Sequence, residues 1–160
     1  MKVKDVMMGT PHFGTLRANL GEATELMWKG NCGFLPVVDD QENVCGVLTD
    51  RDICIALGTR NQKAGEMCVG EVMRHKVHAC NPEDDVHIAL QSMRDGHVRR
   101  LPVVDRNGKL AGVVSMDDIL LHAEPSSFGN DPELSANEVV RTYRWIMKKD
   151  LPVKMRKTAA

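Results

Sequence analysis

The sequence predicts an α+β protein built from two copies of one small unit, followed by a helical tail. First, "LPVVD" at residues 35–39 recurs at residues 101–105, an offset of 66 positions. Second, "GVLTDRDI" at residues 46–53 is matched by "GVVSMDDI" at residues 112–119 in the same register. Third, each copy alternates a helical pattern with short apolar runs, whereas residues 124–160 have no counterpart. Constant spacing over whole segments is typical of an internal repeat.

The repeat register also predicts the domain boundaries. A single ungapped offset aligns residues 3–57 with residues 69–123. The segment between the copies, "GTRNQKAGEMCVG", is rich in glycine and polar residues and has the composition of a linker. The predicted parts are a first repeat at 2–57, a linker at 58–68, a second repeat at 69–123 and a C-terminal extension at 124–160.

Each repeat is predicted to begin with a short lead-in and a helix. The helices are expected over residues 20–29 and 85–95, because apolar residues of the second fall at helical spacing. Gly30 and Gly96 follow these patterns, so we expect them to end the helices as left-handed residues. The first copy lacks the acidic helix start of the second, which has "CNPEDD" at the matching place.

A hairpin and a second helix follow in each repeat. "LPVVD" is rich in β-branched residues and predicts a strand. A polar turn, which contains Asn107-Gly108 in the second copy, leads to partner strands over residues 44–48 and 110–114. Thr49 and Ser115 are then placed to begin a helix.

The composition of the chain limits the kinds of binding partner that we expect. The chain has 160 residues, 42% hydrophobic and 27% charged, with a net charge of −1. With this net charge, the chain has no overall positive potential that would attract nucleic acid or an anionic membrane. Asp5 precedes any long apolar run, and no stretch approaches the ~20 apolar residues of a membrane helix. We therefore expect a cytoplasmic protein without a membrane partner.

Catalytic and metal-binding patterns are absent from the sequence. It contains no G-x-S-x-G and no Walker A motif, so we do not expect an enzyme. His75 and His78 have metal-like spacing but no nearby cysteine or carboxylate partner, which argues against a metal site. The five cysteines form no C-x-x-C pair, and we expect reduced thiols.

The repeated hydroxyl and carboxylate carry the main functional hypothesis. Thr49 and Asp52 in the first repeat match Ser115 and Asp118 in the second. A helix start with a hydroxyl cap favours a phosphate, and an aspartate one turn later can accept hydrogen bonds from a diol. Phosphate and vicinal diol together describe a ribonucleotide. The alternative is a capping box, in which the carboxylate bonds back to the cap residue.

The doubled "LPVVD" and "G-V-x-[ST]-x-x-D-I" motifs resemble a pair of CBS domains (cystathionine β-synthase domains), also called a Bateman module. The resemblance covers residues 2–123. It implies two β-α-β-β-α repeats packed with pseudo-twofold symmetry and two clefts that bind AMP, ADP, ATP or S-adenosylmethionine. It places Thr49 and Ser115 near phosphate, and Asp52 and Asp118 on the ribose hydroxyls. No cofactor is implied beyond this regulatory ligand.

Two arginines are further candidates for contact with phosphate. Arg99 matches a basic position of energy-sensing family members, and the first copy has Gly33 there. Arg51 lies inside the first motif and can contact a phosphate or pair with its acidic neighbours. By analogy with the crossed clefts of the family, Arg99 faces the Thr49–Asp52 cleft. This arrangement predicts that ATP or ADP prefers the first motif. The alternative for each arginine is a solvated surface position.

The tail predicts a helix at about 136–149 with one apolar face and a basic end. We expect this helix to dock on its own module or on a second copy, because the family commonly forms homodimers through helices. The leading hypothesis is a regulatory module that senses an adenosine compound and changes conformation for a regulated partner protein. The alternative is a structural or interaction module with empty pockets, whose tail engages a protein or nucleic acid.

Overall fold

A computed structural model describes residues 1–125 and 132–148 and has the predicted α+β architecture. The helices of these residues are α1 Val3–Val6, α2 Leu20–Lys29, α3 Asp50–Arg60, α4 Val86–Gly96, α5 Met116–Leu121 and α6 Ala136–Met147. The strands are β1 Gly14–Thr15, β2 Phe34–Val38, β3 Val44–Thr49, β4 Arg100–Val104 and β5 Leu110–Ser115. Two short 3₁₀ turns follow α3: Ala64–Glu66 lies in the linker and Val69–Glu71 at the start of the second repeat.

The strands form two small sheets. The first has the order β1-β2-β3, with β1 parallel and β3 antiparallel to β2. The second consists of β4 and β5. In the described part of the second repeat, a single parallel bridge between Cys80 and Val103 takes the place of the β1 pairing. The predicted hairpins are confirmed.

Polar caps set the helix starts. The helix predicted over residues 20–29 is confirmed, and Asn19 caps it in a capping box with Glu22. This Asn-x-x-Glu pattern replaces the acidic start that the first copy lacks. In the second copy the helix begins at Val86, because the Asp85 side chain accepts the His87 N–H and so caps the helix.

The glycines at the helix ends are not the left-handed residues, contrary to the sequence-based expectation. Gly30 has a φ of −83°, and Gly96 is the last residue of α4. The left-handed residues are the next ones, Asn31 with φ 45° and His97 with φ 50°.

Instead, a histidine ring approaches each of these glycines closely. A Cβ atom on Gly30 would overlap the His12 ring. A Cβ atom on Gly96 would lie 2.7 Å from Cγ of His78. His12 and His78 share one repeat position, so each repeat packs an imidazole on a bare helix end.

Contacts divide the chain into two compact units that do not coincide with the sequence repeats. One unit contains Met1–Met7, His78–Val103 and the described residues from Val114 onward. The other contains Met8–Val77 and Val104–Val113. The units differ from the repeats because of the lead-in segments, the short stretches that precede α2 and α4. The Val3 N–H donates to the Asp84 carbonyl at 2.9 Å and the Val69 N–H to the Ala18 carbonyl at 2.8 Å. Each lead-in therefore pairs with the other repeat.

Each unit has its own apolar core. In the unit of the first sheet, the largest fully buried side chains include Leu20, Leu35, Leu48 and Met67. In the other unit α6 packs on α4 and α5 and buries Val139 and Ile146. The C-terminal helix is thus confirmed to Met147, whereas position 149 of its predicted range lies outside the described residues. The described chain contains no helix that is both long and apolar enough to cross a membrane.

Candidate ligand-binding motifs

Both repeats place the hydroxyl and the carboxylate at a strand-to-helix junction. β3 ends at Thr49 and β5 ends at Ser115, and each residue is the N-cap of the next helix. The residues before the caps, Leu48 and Val114, have no exposed surface. These buried anchors hold both junctions in the same extended cap conformation, with φ near −117° at Thr49.

Both motifs form a capping box with the same atoms. The Asp52 N–H donates to Oγ1 of Thr49 at 3.2 Å, and Oδ2 of Asp52 accepts from the Thr49 N–H at 3.1 Å. In the second motif the Asp118 N–H donates to Oγ of Ser115 at 3.1 Å, and Oδ2 of Asp118 accepts from the Ser115 N–H at 2.8 Å. The capping-box geometry is therefore present in both copies.

The hydroxyl groups point their protons at the carboxylates. Thr49 Oγ1 lies 2.6 Å from Oδ2 of Asp52, and Ser115 Oγ lies 2.6 Å from Oδ2 of Asp118. In each motif, Oδ2 thus accepts two hydrogen bonds from the cap residue. What distinguishes the motifs is the other carboxylate oxygen, Oδ1.

In the first motif, Arg74 occupies this second oxygen. Its Nε and Nη2 atoms donate to Oδ1 of Asp52 at 2.9 and 2.7 Å. The Asp52 side chain is 10% exposed and that of Arg74 is 57% exposed, so the carboxylate is enclosed and the guanidinium faces solvent. A carboxylate offers about four lone-pair positions, and Asp52 has four donors.

The ion pair sets the charge state of Asp52. Partial burial alone would raise the pKa of the Asp52 carboxyl, but the hydrogen bonds from Arg74 and Thr49 outweigh it and hold this pKa below its usual range. The carboxylate is therefore ionised at neutral pH and is already paired.

Arg74 reaches the motif because its backbone lies beside β3. The Arg74 N–H donates to the Val47 carbonyl at 2.8 Å, and the Val47 N–H donates to the Arg74 carbonyl at 3.0 Å. Sequence reasoning missed Arg74, which lies 22 residues beyond Asp52 in the lead-in of the second repeat. The signal available in the sequence was its repeat counterpart, Met8, which has no charge.

A second acidic side chain binds a backbone N–H at the start of α3. Oδ1 of Asp50 accepts the Arg51 N–H at 2.7 Å, and the Asp50 N–H donates to the Gly33 carbonyl at 3.2 Å. A Cβ atom on Gly33 would overlap the Asp50 carboxylate in this position. Arg51 itself is exposed, and its guanidinium has no hydrogen-bond partner among residues 1–125 and 132–148.

The second motif has no counterpart of the Arg74 guanidinium or of the Asp50 carboxylate. Within the described chain, Oδ1 of Asp118 accepts no hydrogen bond. Ser115 is 8% exposed, and the Met116 N–H donates to the carbonyl of Arg99 at 2.9 Å. The backbone of Arg99 is therefore adjacent to the start of α5, and its side chain is exposed.

His12 and His78 pack on the glycines described above. In the part of the chain that the structure describes, no cluster of three or more histidine, cysteine, aspartate or glutamate side chains is arranged to hold a metal ion. All five cysteines are free.

The duplicated junction is matched by a family model. The CBS domain model matches residues 3–59 and 69–124. The chain belongs to the CBS domain family. Among curated proteins, this CBS pair is 38% identical over 122 residues to the CBS domain-containing protein YhcV of Bacillus subtilis, covering 75% of this chain and 84% of YhcV.

Other relatives are longer than the matched region. An uncharacterized protein of Methanopyrus kandleri is 31% identical over 117 residues, which are 73% of this chain and 57% of that protein. A homoserine O-acetyltransferase of Methanosphaera stadtmanae is 31% identical over 114 residues, and only 22% of its length is matched. The CBS pair thus spans about half or less of these two relatives.

Solved structures show the same fold. Hypoxic Response Protein I, crystallised with two coordinated zinc ions, superposes with a TM-score of 0.71 at 26% identity, over 78% of this chain and all of that one. A CBS domain pair in complex with 5′-methylthioadenosine and S-adenosyl-L-methionine superposes with a TM-score of 0.67 at 26% identity, over 74% and 92% of the two chains.

Proposed function

We propose that this CBS pair is a regulatory module that binds an adenosine-containing compound. The observation that carries the proposal is Oδ1 of Asp118, which accepts no hydrogen bond from residues 1–125 and 132–148 and is held one helical turn beyond a buried serine cap. A carboxylate in this position can accept hydrogen bonds from the 2′- and 3′-hydroxyls of a ribose. The proposal is supported by a similar CBS pair whose two ligands, 5′-methylthioadenosine and S-adenosylmethionine, both contain a ribose diol.

The proposed roles follow the chemistry of each side chain. In a motif that is open to ligand, the aspartate (Asp52 or Asp118) is assigned to ribose and the hydroxyl (Thr49 or Ser115) to the part of the ligand nearest the helix start. Arg51 and Arg99 are exposed cations that can pair with phosphate, which would favour AMP, ADP or ATP. The ligand is regulatory, so no further cofactor is required.

We propose that binding is transmitted to a partner protein by a change of conformation, and that the module is a cytoplasmic homodimer rather than an enzyme. A surface suited to a second copy lies on α5 and α6. Leu121 is 84% exposed, and Val140 and Met147 are also exposed. Exposed apolar groups on adjacent helices are typical of association surfaces.

Thermal unfolding with and without ligand tests the proposal. A ligand at 100 times its Kd stabilises the folded state by about 2.7 kcal/mol. We therefore expect AMP, ATP or S-adenosylmethionine to raise the Tm at millimolar concentration. Asp118→Glu is the matched variant, because glutamate keeps the capping box but moves the carboxylate. A Tm that none of these compounds raises would refute the proposal.

A second candidate is an interaction module without a small-molecule ligand. It is favoured by α6, where Trp145 is 43% exposed and stacks with the Arg94 guanidinium 4.6 Å from the ring centroid. The basic tail assigned to this alternative lies outside the described residues. The same thermal measurement separates the candidates, because the interaction module predicts no ligand-dependent Tm.

A further inference from the structure

Three of the positions at which the two motifs differ act to close the first one. The first motif is flanked by Gly33, Asp50 and Arg74, and the residues at the matching repeat positions are Arg99, Met116 and Met8. We propose that the Arg74–Asp52 ion pair and the Asp50 carboxylate close the first motif, so that an adenosine compound binds through the Asp118 motif alone. This inference rests on the proposed function and names the site that performs it.

The ribose position is filled in the first motif. Oδ1 of Asp52 accepts from Nε and Nη2 of Arg74, and Oδ2 accepts from the cap residue. A diol can reach Asp52 only by displacing the guanidinium. A neutral diol would replace the cation that is paired with the enclosed Asp52 carboxylate, so this exchange is unfavourable.

Binding of a phosphate at the start of α3, in the first motif, is also unfavourable. The three N–H groups that begin α3, those of Asp50, Arg51 and Asp52, are all paired within the protein. The carboxylate of Asp50 takes the Arg51 N–H at 2.7 Å, which is the donor that an incoming anion would use. A fixed negative charge at this point repels a phosphate.

The Arg74 hydrogen bonds and the Asp50 carboxylate have no counterpart in the second motif, although the Met116 and Asp118 N–H groups are paired there as in the first. Met116 replaces Asp50, so no acid occupies that place, and Arg99 is adjacent in place of Gly33. Met8, at the repeat position of Arg74, pairs through its backbone with Val113, just as Arg74 pairs with Val47. Methionine has no N–H or O–H group in its side chain to donate to a carboxylate. The resulting order of the two motifs is the reverse of the one predicted from the arginines alone.

Calorimetric titration with AMP tests the inference. The full chain is expected to bind about one AMP, with affinity lowered roughly tenfold or more in Asp118→Glu and Asp118→Asn. Asp52→Glu is the matched variant in the first motif and is expected to change affinity less than about twofold. The double variant Asp50→Met with Arg74→Met puts the residues of the second motif at both closing positions of the first, and its stoichiometry should rise to about two.

Several outcomes would overturn the inference and leave the proposed function standing. These are two equal sites in the parent, an Asp52→Glu loss as large as the Asp118→Glu loss, or a stoichiometry that stays unchanged when Asp50 and Arg74 are replaced. Circular dichroism of each variant confirms that it is folded. Absence of binding in the parent and in every variant would overturn the proposed function and, with it, this inference.

Discussion

Arg74 donates two hydrogen bonds to one oxygen of Asp52, whereas the corresponding oxygen of Asp118 accepts none within the described chain. The two carboxylates belong to copies of one motif and are capped in the same way. One of them is therefore built into an ion pair, while the other keeps acceptor capacity for a ligand. Stability and binding should respond separately to substitutions at these two sites.

Replacement of Arg74 should weaken the fold at neutral pH and reduce its sensitivity to acid. The folded-state pKa of Asp52 is lowered, so its contribution is present above the unfolded pKa of about 4 and is lost as the pH falls through the folded value. Urea unfolding of Arg74→Met should show a loss of about 1 kcal/mol at pH 7 and a smaller loss at pH 3. Arg51→Met is the control, and an equal loss at both pH values would contradict the ion-pair account.

The two cap hydroxyls should stabilise the fold independently of any ligand. Thr49→Ala and Ser115→Ala each remove the acceptor of an N3 amide and are expected to cost about 1 kcal/mol of unfolding free energy. Ser115→Thr keeps the hydroxyl and serves as the control. Chemical denaturation without ligand measures the effect, and alanine variants as stable as the parent would show that the caps contribute nothing.

The packing of histidine on glycine gives a paired test. Gly30→Ala forces a methyl group into the His12 ring, and we expect a loss of about 1–3 kcal/mol. His12→Ala removes the ring and should restore part of the stability lost in Gly30→Ala, as a coupling in a double-mutant cycle. If the losses in Gly30→Ala and His12→Ala simply add in the double variant, the contact with the His12 ring is not the reason for glycine at position 30.

The five thiols should differ in reactivity. Cys80 is 7% exposed, and burial raises the pKa of its thiol to about 12, so it carries almost no thiolate at pH 8. Cys54 and Cys68 are exposed. Labelling with a disulfide reagent should therefore modify Cys54 and Cys68 first, and Cys80→Ala should leave this fast phase unchanged. A fast phase that shrinks in Cys80→Ala would contradict the burial argument.

Homodimer formation is tested by mass. Light scattering at micromolar concentration should give about twice the chain mass of 17.8 kDa. Leu121→Glu, at a position that is 84% exposed, is expected to shift the mass toward the monomer because it charges the apolar surface. A parent protein that is monomeric under these conditions would contradict the proposed assembly.

The helices and strands were well predicted from the sequence because short motifs within each repeat determine where they begin and end. The hairpins and the starts of α3 and α5 follow from short motifs such as Thr49-x-x-Asp52. The start of α2 is also local, since Asn19 and Glu22 form a capping box, but the comparison with the acidic second copy concealed it. Gly30 was misjudged because the sequence does not show that the His12 ring lies against it.

The state of the first motif was not predictable in the same way. Arg74 lies in the lead-in of the second repeat, and only the folded chain shows that this lead-in pairs with the first repeat, through Val69 and Ala18. Hydrophobic periodicity gives the elements of a repeat but not the exchange of lead-ins between repeats. An ion pair that depends on this exchange therefore appears only in the structure.

In the proposed function, Oδ1 of Asp118 accepts the ribose hydroxyls of an adenosine compound. Its most direct test compares the Kd values of AMP and 2′-deoxy-AMP for the parent protein and for Asp118→Glu. We expect the parent to bind AMP roughly tenfold more tightly than the deoxy compound, and Asp118→Glu to lose this preference. Equal affinity of the parent for the two nucleotides, or a preference that survives in Asp118→Glu, would contradict the claim.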